Sequence, residues 1–209
     1  MMHIVLLGDS IFDNAAYVTP KPDVAQQLHA RLGADWTVTL LAVDGHVTAD
    51  VKRHQLDLIP KNASHLVISV GGNDALRYAG ILDAPATSVA DAVSRLADAQ
   101  SQFADEYAEM VDAVLELGVS TAVCTIYDSN YPEPRRRLVV AGLALFNDVI
   151  ARVAFGRRIP LIDLRLICSE AADYANPIEP SAIGGAKIAA IIAALVSGDG
   201  AAHPSTVWI

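Results

Sequence analysis

Five short apolar runs recur along this chain, with room for a helix between each pair, and that alternation restricts it to one class of fold. The runs are Ile4–Leu7, Val38–Val43, Leu66–Val70, Thr121–Ile126 and Pro160–Leu164. They are continuous rather than alternating and rich in β-branched residues, the pattern of parallel strands covered on both faces. The clearest helical pattern lies between the third and fourth runs, from Ser88 to Leu117. Val89, Val93, Leu96, Phe103, Tyr107, Met110, Val114 and Leu117 form a single stripe there. Ser88 with Asp91 makes a capping pair at its start, and Gly118 is a natural stop. Strands alternating with helices predict an α/β fold, a flavodoxin-like three-layer sandwich around a five-stranded parallel sheet of order 2-1-3-4-5. One domain is expected over residues 1–196. Its last helix runs from about Ile183 to Val196, and residues 197–209 form a tail that opens with Ser197-Gly198-Asp199-Gly200.

Length and charge narrow the function. A chain of 209 residues is long enough to bury a full core. A formal net charge of −9 argues against nucleic acid as a partner, because phosphate binding needs clustered Lys and Arg. The single basic run, Arg135-Arg136-Arg137, opens a helix and reads as a solvated helix end. No segment is expected to reach the length of a membrane span. The first residues read as a buried strand rather than a basic leader, so a cytoplasmic location is expected. Cys124 and Cys168 lack metal-ligand spacing and are expected as buried, reduced thiols. Nothing in the sequence specifies an oligomeric state.

In an open parallel sheet ligands bind beyond the carboxyl ends of the strands, at the switch point. Three loops at that edge carry chemistry. The first run leads into Gly8-Asp9-Ser10, the second into Asp44-Gly45-His46 and the third into Gly71-Gly72-Asn73-Asp74. With the order 2-1-3-4-5 these loops are neighbours. Acyl transfer needs a nucleophile, donors for a developing oxyanion, and a base. Ser10 supplies a hydroxyl and a backbone N–H. Gly45 offers an N–H unobstructed by a side chain, and Asn73 offers a carboxamide. Taken one at a time, Ser10 and Asn73 could be helix caps and the glycines ordinary turn residues; together on adjacent loops they read as a site. Asp13 and Asn14, just past Ser10, either meet polar groups of a substrate or shape the loop. Phe12, Tyr17 and Tyr127 are candidates for apolar walls, and the loop from Tyr17 to Pro22 for one side of a pocket.

These residues resemble the blocks of the SGNH hydrolases, the GDSL-type esterases and lipases. Gly8-Asp9-Ser10 is similar to the family's first block, Gly45 to its second, Gly71-Gly72-Asn73-Asp74 to its third, and the segment from Ile178 to Ala189 to its last. The resemblance implies a flavodoxin-like sheet, Ser10 as nucleophile, an oxyanion hole of Ser10, Gly45 and Asn73, and hydrolysis of a small-molecule ester with neither cofactor nor metal.

The last block departs from that pattern. Where the family has Asp-x-x-His-Pro, this chain has Asn176-Pro177-Ile178-Glu179-Pro180. Four readings follow. Glu179 is itself the base, if a dry pocket lifts it from an ordinary value of about 4.3. His46, one residue past the oxyanion glycine, faces the pocket and serves as base or substrate contact. His203, in His203-Pro204-Ser205, replaces the missing imidazole, although the final helix carries the chain away from the site at about 1.5 Å per residue. In the fourth, the protein is catalytically weak or inactive and uses the cleft to bind an ester or sugar. Asn176 joins Asp13 and His46 as a candidate substrate contact. A nucleotide or flavin binder fits less well, because no glycine-rich phosphate cradle follows the first run.

Overall fold

The computed structural model describes residues 1–198 and Val207; His203 and most of the expected tail lie outside the described residues. Five parallel strands, β1 (Met2–Gly8), β2 (Trp36–Leu40), β3 (His65–Ser69), β4 (Ser120–Cys124) and β5 (Leu161–Ile162), pair in the order β2-β1-β3-β4-β5. Leu6 of β1 sits opposite Leu40 on one side and Val67 on the other. The principal helices are α1 (Val24–Leu32), α2 (Gly72–Arg77), α3 (Val89–Leu115), α4 (Arg135–Gly156) and α5 (Ala182–Ser197).

Successive residues of a strand point to opposite faces, so an unbroken apolar strand serves two cores. Val5, Leu7, Leu66 and Ile68 pack beneath α3 and α4 against Phe103, Tyr107 and Ile150. Ile4, Leu6 and Val67 face the other way, toward Leu28 of α1 and Ile188 and Ile192 of α5. Each such side chain contributes about 1.5–3 kcal/mol on burial. Both cysteines are buried and free, as their apolar neighbours suggest.

Several boundaries differ from the sequence reading. The second, fourth and fifth strands stop two residues or more before their apolar runs do. The residues after them remain hydrogen-bonded as loops, Val43 N–H to the Gly8 carbonyl and Thr125 N–H to the Ile162 carbonyl, and so line the working edge. The stripe on α3 is buried only from Ala99 to Val114, whereas Val89 and Val93 are 82% and 56% exposed because the helix overhangs the sheet at its amino end. Ser88 accepts a hydrogen bond from Asp91 N–H as its cap. The expectation about membrane-span length also fails: α4, with 22 residues, is long and apolar enough to cross a membrane. Here its buried face, Phe146, Val149, Ile150 and Val153, packs into the core.

Candidate active site

The site begins with a forced turn. Gly8 has φ +124°, and a Cβ there would lie 1.8 Å from the Ser69 carbonyl oxygen; only glycine lets β1 and β3 approach so closely. Gln55, fully buried, holds Gly8 from the side, accepting its N–H and donating to its carbonyl, each at 2.8 Å. The chain then swings over, with Phe12 and Asp13 N–H both bonding back to the Asp9 carbonyl. Ser10 is left at the bend, almost buried, facing the strand ends.

The three loops are laced together by side chains. The Asp13 carboxylate accepts the Asp44 N–H at 3.0 Å. Asn73 donates to the His46 carbonyl at 2.9 Å. Asp74 accepts both the N–H and the hydroxyl of Thr48, and burial raises its pKa despite those bonds. Ser10, Gly45 and Asn73 therefore stand on one edge, as the strand order requires. Gly45, at φ +83°, is exposed. Among the described residues no acceptor takes the N–H of Ser10 or of Gly45, and Asn73 has a second amide hydrogen to give.

The fourth group arrives from the opposite end of the chain. The Ser10 hydroxyl donates to Glu179 Oε1 at 3.1 Å. Glu179 is 5% exposed, and its Oε2 is buried with no partner among the described residues. Burial pushes its pKa up to about 7; the Ser10 hydrogen bond opposes that rise, and the Asp44 charge adds to it. The backbone around it is tightly held. Asn176 Oδ1 accepts the N–H of both Ile178 and Glu179 at 2.9 Å. The Ala175 N–H bonds to the Glu179 carbonyl, and Tyr127 donates to the Ile178 carbonyl at 2.7 Å. Asn14 ties this segment to the nucleophile loop, donating to the Pro180 carbonyl while accepting from Val24 N–H.

Not every candidate meets the cleft with a free group. Asp13 Oδ2 and both polar atoms of Asn14 are engaged in shaping the loop, and the Asn176 carboxamide oxygen is occupied by two amides. His46 is half-buried, with Nδ1 at 3.0 Å from Gln55 Nε2. The reciprocal bonds to Gly8 fix the orientation of that amide, so Gln55 donates, His46 Nδ1 accepts and the ring proton sits on Nε2. Phe12 is no wall: it is fully buried in the core beneath α1 and α5. Tyr17 stands at the surface, donating to the Asp44 carboxylate at 2.6 Å. Only Tyr127 of the three aromatics lines the cleft. Sequence reasoning did not single out Gln55, whose role depends on a fold-back of 47 residues. It also gave no role to Asp9, the middle residue of the first motif. That carboxyl is buried, which raises its pKa to about 8, although it accepts the Ile11 N–H.

A family model for the GDSL-like lipase/acylhydrolase family matches residues 6–188. The chain belongs to that family. At the level of the family it is an ester hydrolase. No curated protein matches it by sequence. Among solved structures it is similar to the lipase Lip_vut3 from a goat rumen metagenome, with a TM-score of 0.74 and 17% identity, covering 96% of this chain and 99% of that one. It is similar to an acetyl xylan esterase, AlAXEase, with a TM-score of 0.68 and 17% identity over 93% and 100% of the two chains. It is also similar to phospholipase A1 from Streptomyces albidoflavus NA297, with a TM-score of 0.67 and 17% identity over 94% and 98%. At such identities the likeness is one of fold.

Proposed function

We propose that the protein hydrolyses small carboxylic esters through an acyl-enzyme on Ser10, with Glu179 as the general base. The observation that carries this reading is the buried hydrogen bond of 3.1 Å from the Ser10 hydroxyl to a carboxylate whose pKa is lifted to about 7. A general base works best with a pKa near the operating pH, and at an ordinary carboxylate value Glu179 would draw a proton poorly.

The steps balance without a further group. Glu179 takes the Ser10 proton as Oγ bonds to the ester carbonyl carbon. The oxyanion is received by the N–H groups of Ser10 and Gly45 and the free amide hydrogen of Asn73. Collapse breaks the bond to the alcohol oxygen, which takes the proton from Glu179. Water then attacks the acyl-enzyme, gives its proton to Glu179, and Ser10 recovers it as the acid departs. Asn176 acts on the backbone: it holds the turn that presents Glu179, and it does not buttress a base as an aspartate buttresses an imidazolium.

A second reading, a ligand-binding protein using the same cleft, is favoured by one feature: among the described residues no imidazole contacts Ser10. One measurement decides between them, the turnover of p-nitrophenyl acetate between about pH 5 and 9 by the wild type and Ser10→Ala. Hydrolysis predicts a kcat/KM that rises through an apparent pKa near 7 and falls at least about a thousandfold in Ser10→Ala. A wild type no faster than Ser10→Ala removes the hydrolase reading and leaves the cleft as a binding site.

A further inference from the structure

Beside Ser10 the cleft deepens into a cavity of about 130 Å³ between α2, α3 and α4. Ser10, Asn73 and Glu179 stand on its wall, and most of the remaining lining is apolar, with Asp9, Ser69, Ser129 and Arg135 as the polar exceptions. It exists because small residues occupy positions where larger ones would fill the space: Ala75, Ala79, Ala99 and Gly142 all face it. A cavity of roughly 150 Å³ accepts a benzene-sized guest, so by volume this one suits an apolar group of about four to six carbons.

The chemistry decides which half of an ester belongs there. In the proposed cycle the alcohol must leave for solvent halfway through, while the acyl group stays bonded to Ser10 until water arrives. The other side of the nucleophile, where Tyr17, Asp44 and Gly45 are exposed, is open and polar. A mostly apolar recess suits the part that stays, and the exposed polar edge suits the part that departs. We propose that the cavity is the acyl pocket of this hydrolase, taking an apolar acyl chain of short to medium length, and that Gly142 on α4 limits the space available to it. This rests on the Ser10 reading of the preceding section.

Gly142 makes the inference testable. A Cβ built there meets no atom within 4 Å, so a side chain projects into space rather than into packed neighbours, and replacing glycine within a helix favours the helix. The experiment measures kcat/KM on p-nitrophenyl acetate, butyrate, hexanoate and octanoate for the wild type, Gly142→Leu and Ala79→Leu. Each methylene that enters the pocket is worth up to about fourfold, so the wild-type hexanoate-to-acetate ratio should be at least about ten. Both variants should lower that ratio about tenfold or more, and the ratio does not depend on how much of a variant folds. A flat wild-type profile, or a ratio untouched in both variants while turnover persists, overturns the pocket and leaves the Ser10 mechanism standing. A Gly142-sensitive rise that follows alcohol length in a series of alkyl acetates, rather than acyl length, overturns the assignment to the acyl half. If the wild type turns over none of these esters, the mechanism itself has failed. The cavity is then read by calorimetry with hexanoate, where equal binding by wild type and Gly142→Leu overturns it and weaker binding by the variant supports it.

Discussion

The two sides of Ser10 are built by different means. On one side the N–H donors and Asn73 come from the ends of three adjacent parallel strands, locked to one another by Asp13, Asn73 and Asp74. On the other a single carboxylate reaches in from a loop 169 residues away, carried on a turn that Asn176 holds. The strand-end side depends on backbone geometry, so it follows from the topology and tolerates little change of residue. The loop side depends on one side chain and its surroundings, so residue type there can change while the position is kept. If Ser10 and Glu179 react as proposed, the comparison teaches that an acyl-transfer site can keep its anion-binding half while its proton-handling half differs, provided that burial supplies the basicity.

The sharpest way to break this comparison is Glu179→Gln, which keeps the shape and removes the proposed base. The expected loss in kcat/KM at pH 8 is about a thousandfold, within the range for a general base, and a loss below about tenfold shows that Glu179 does not take the proton. The same substitution has a second consequence with a definite sign. The folded-state pKa of Glu179 is raised to about 7 from an ordinary 4.5. Its contribution to stability is therefore fully present below pH 4.5 and lost as pH rises through 7. Glu179→Gln should be more stable than wild type at pH 8, by on the order of 2–3 kcal/mol, and indistinguishable from it near pH 4; denaturant unfolding at the two pH values checks this.

On the anion side Asn73→Ala should lower kcat about a hundredfold with little change in KM, as expected for a donor used in the transition state. A change confined to KM would mean that Asn73 only binds substrate. Gln55→Ala leaves the buried Gly8 N–H unpaired and its carbonyl with only the Val43 N–H, and should cost about 1–3 kcal/mol in urea unfolding. The smallest effect is expected at Asp13→Ala, where an exposed loop bond is lost: less than about 1.5 kcal/mol and a few-fold in activity. An activity loss at Asp13 as large as that at Asn73 would blur the division between positioning and reacting groups.

Much of this architecture was legible in the chain itself. Apolar runs too continuous to have a wet face require helices on both sides, and that requirement with the connection rules leads to the order 2-1-3-4-5 and to one edge where Ser10, Gly45 and Asn73 meet. The cap at Ser88 was legible for the same reason, because it is local, set by residues within a turn of one another; the helix itself ends at Leu115, two residues before the expected Leu117. The sequence also marked position 179 as the place where the pattern changes. What glutamate does there was decided by tertiary structure, because a carboxyl pKa is a property of its surroundings, and the burial that lifts it is assembled from segments far apart in the chain. The exposure of Val89 and Val93, the burial of Phe12 and the grip of Gln55 on Gly8 were likewise beyond periodicity, which records that a residue is apolar or polar and not what lies opposite it. The cavity is the extreme case: alanine and glycine carry no signal individually, and only packing places Ala75, Ala79, Ala99 and Gly142 around one space beside the nucleophile.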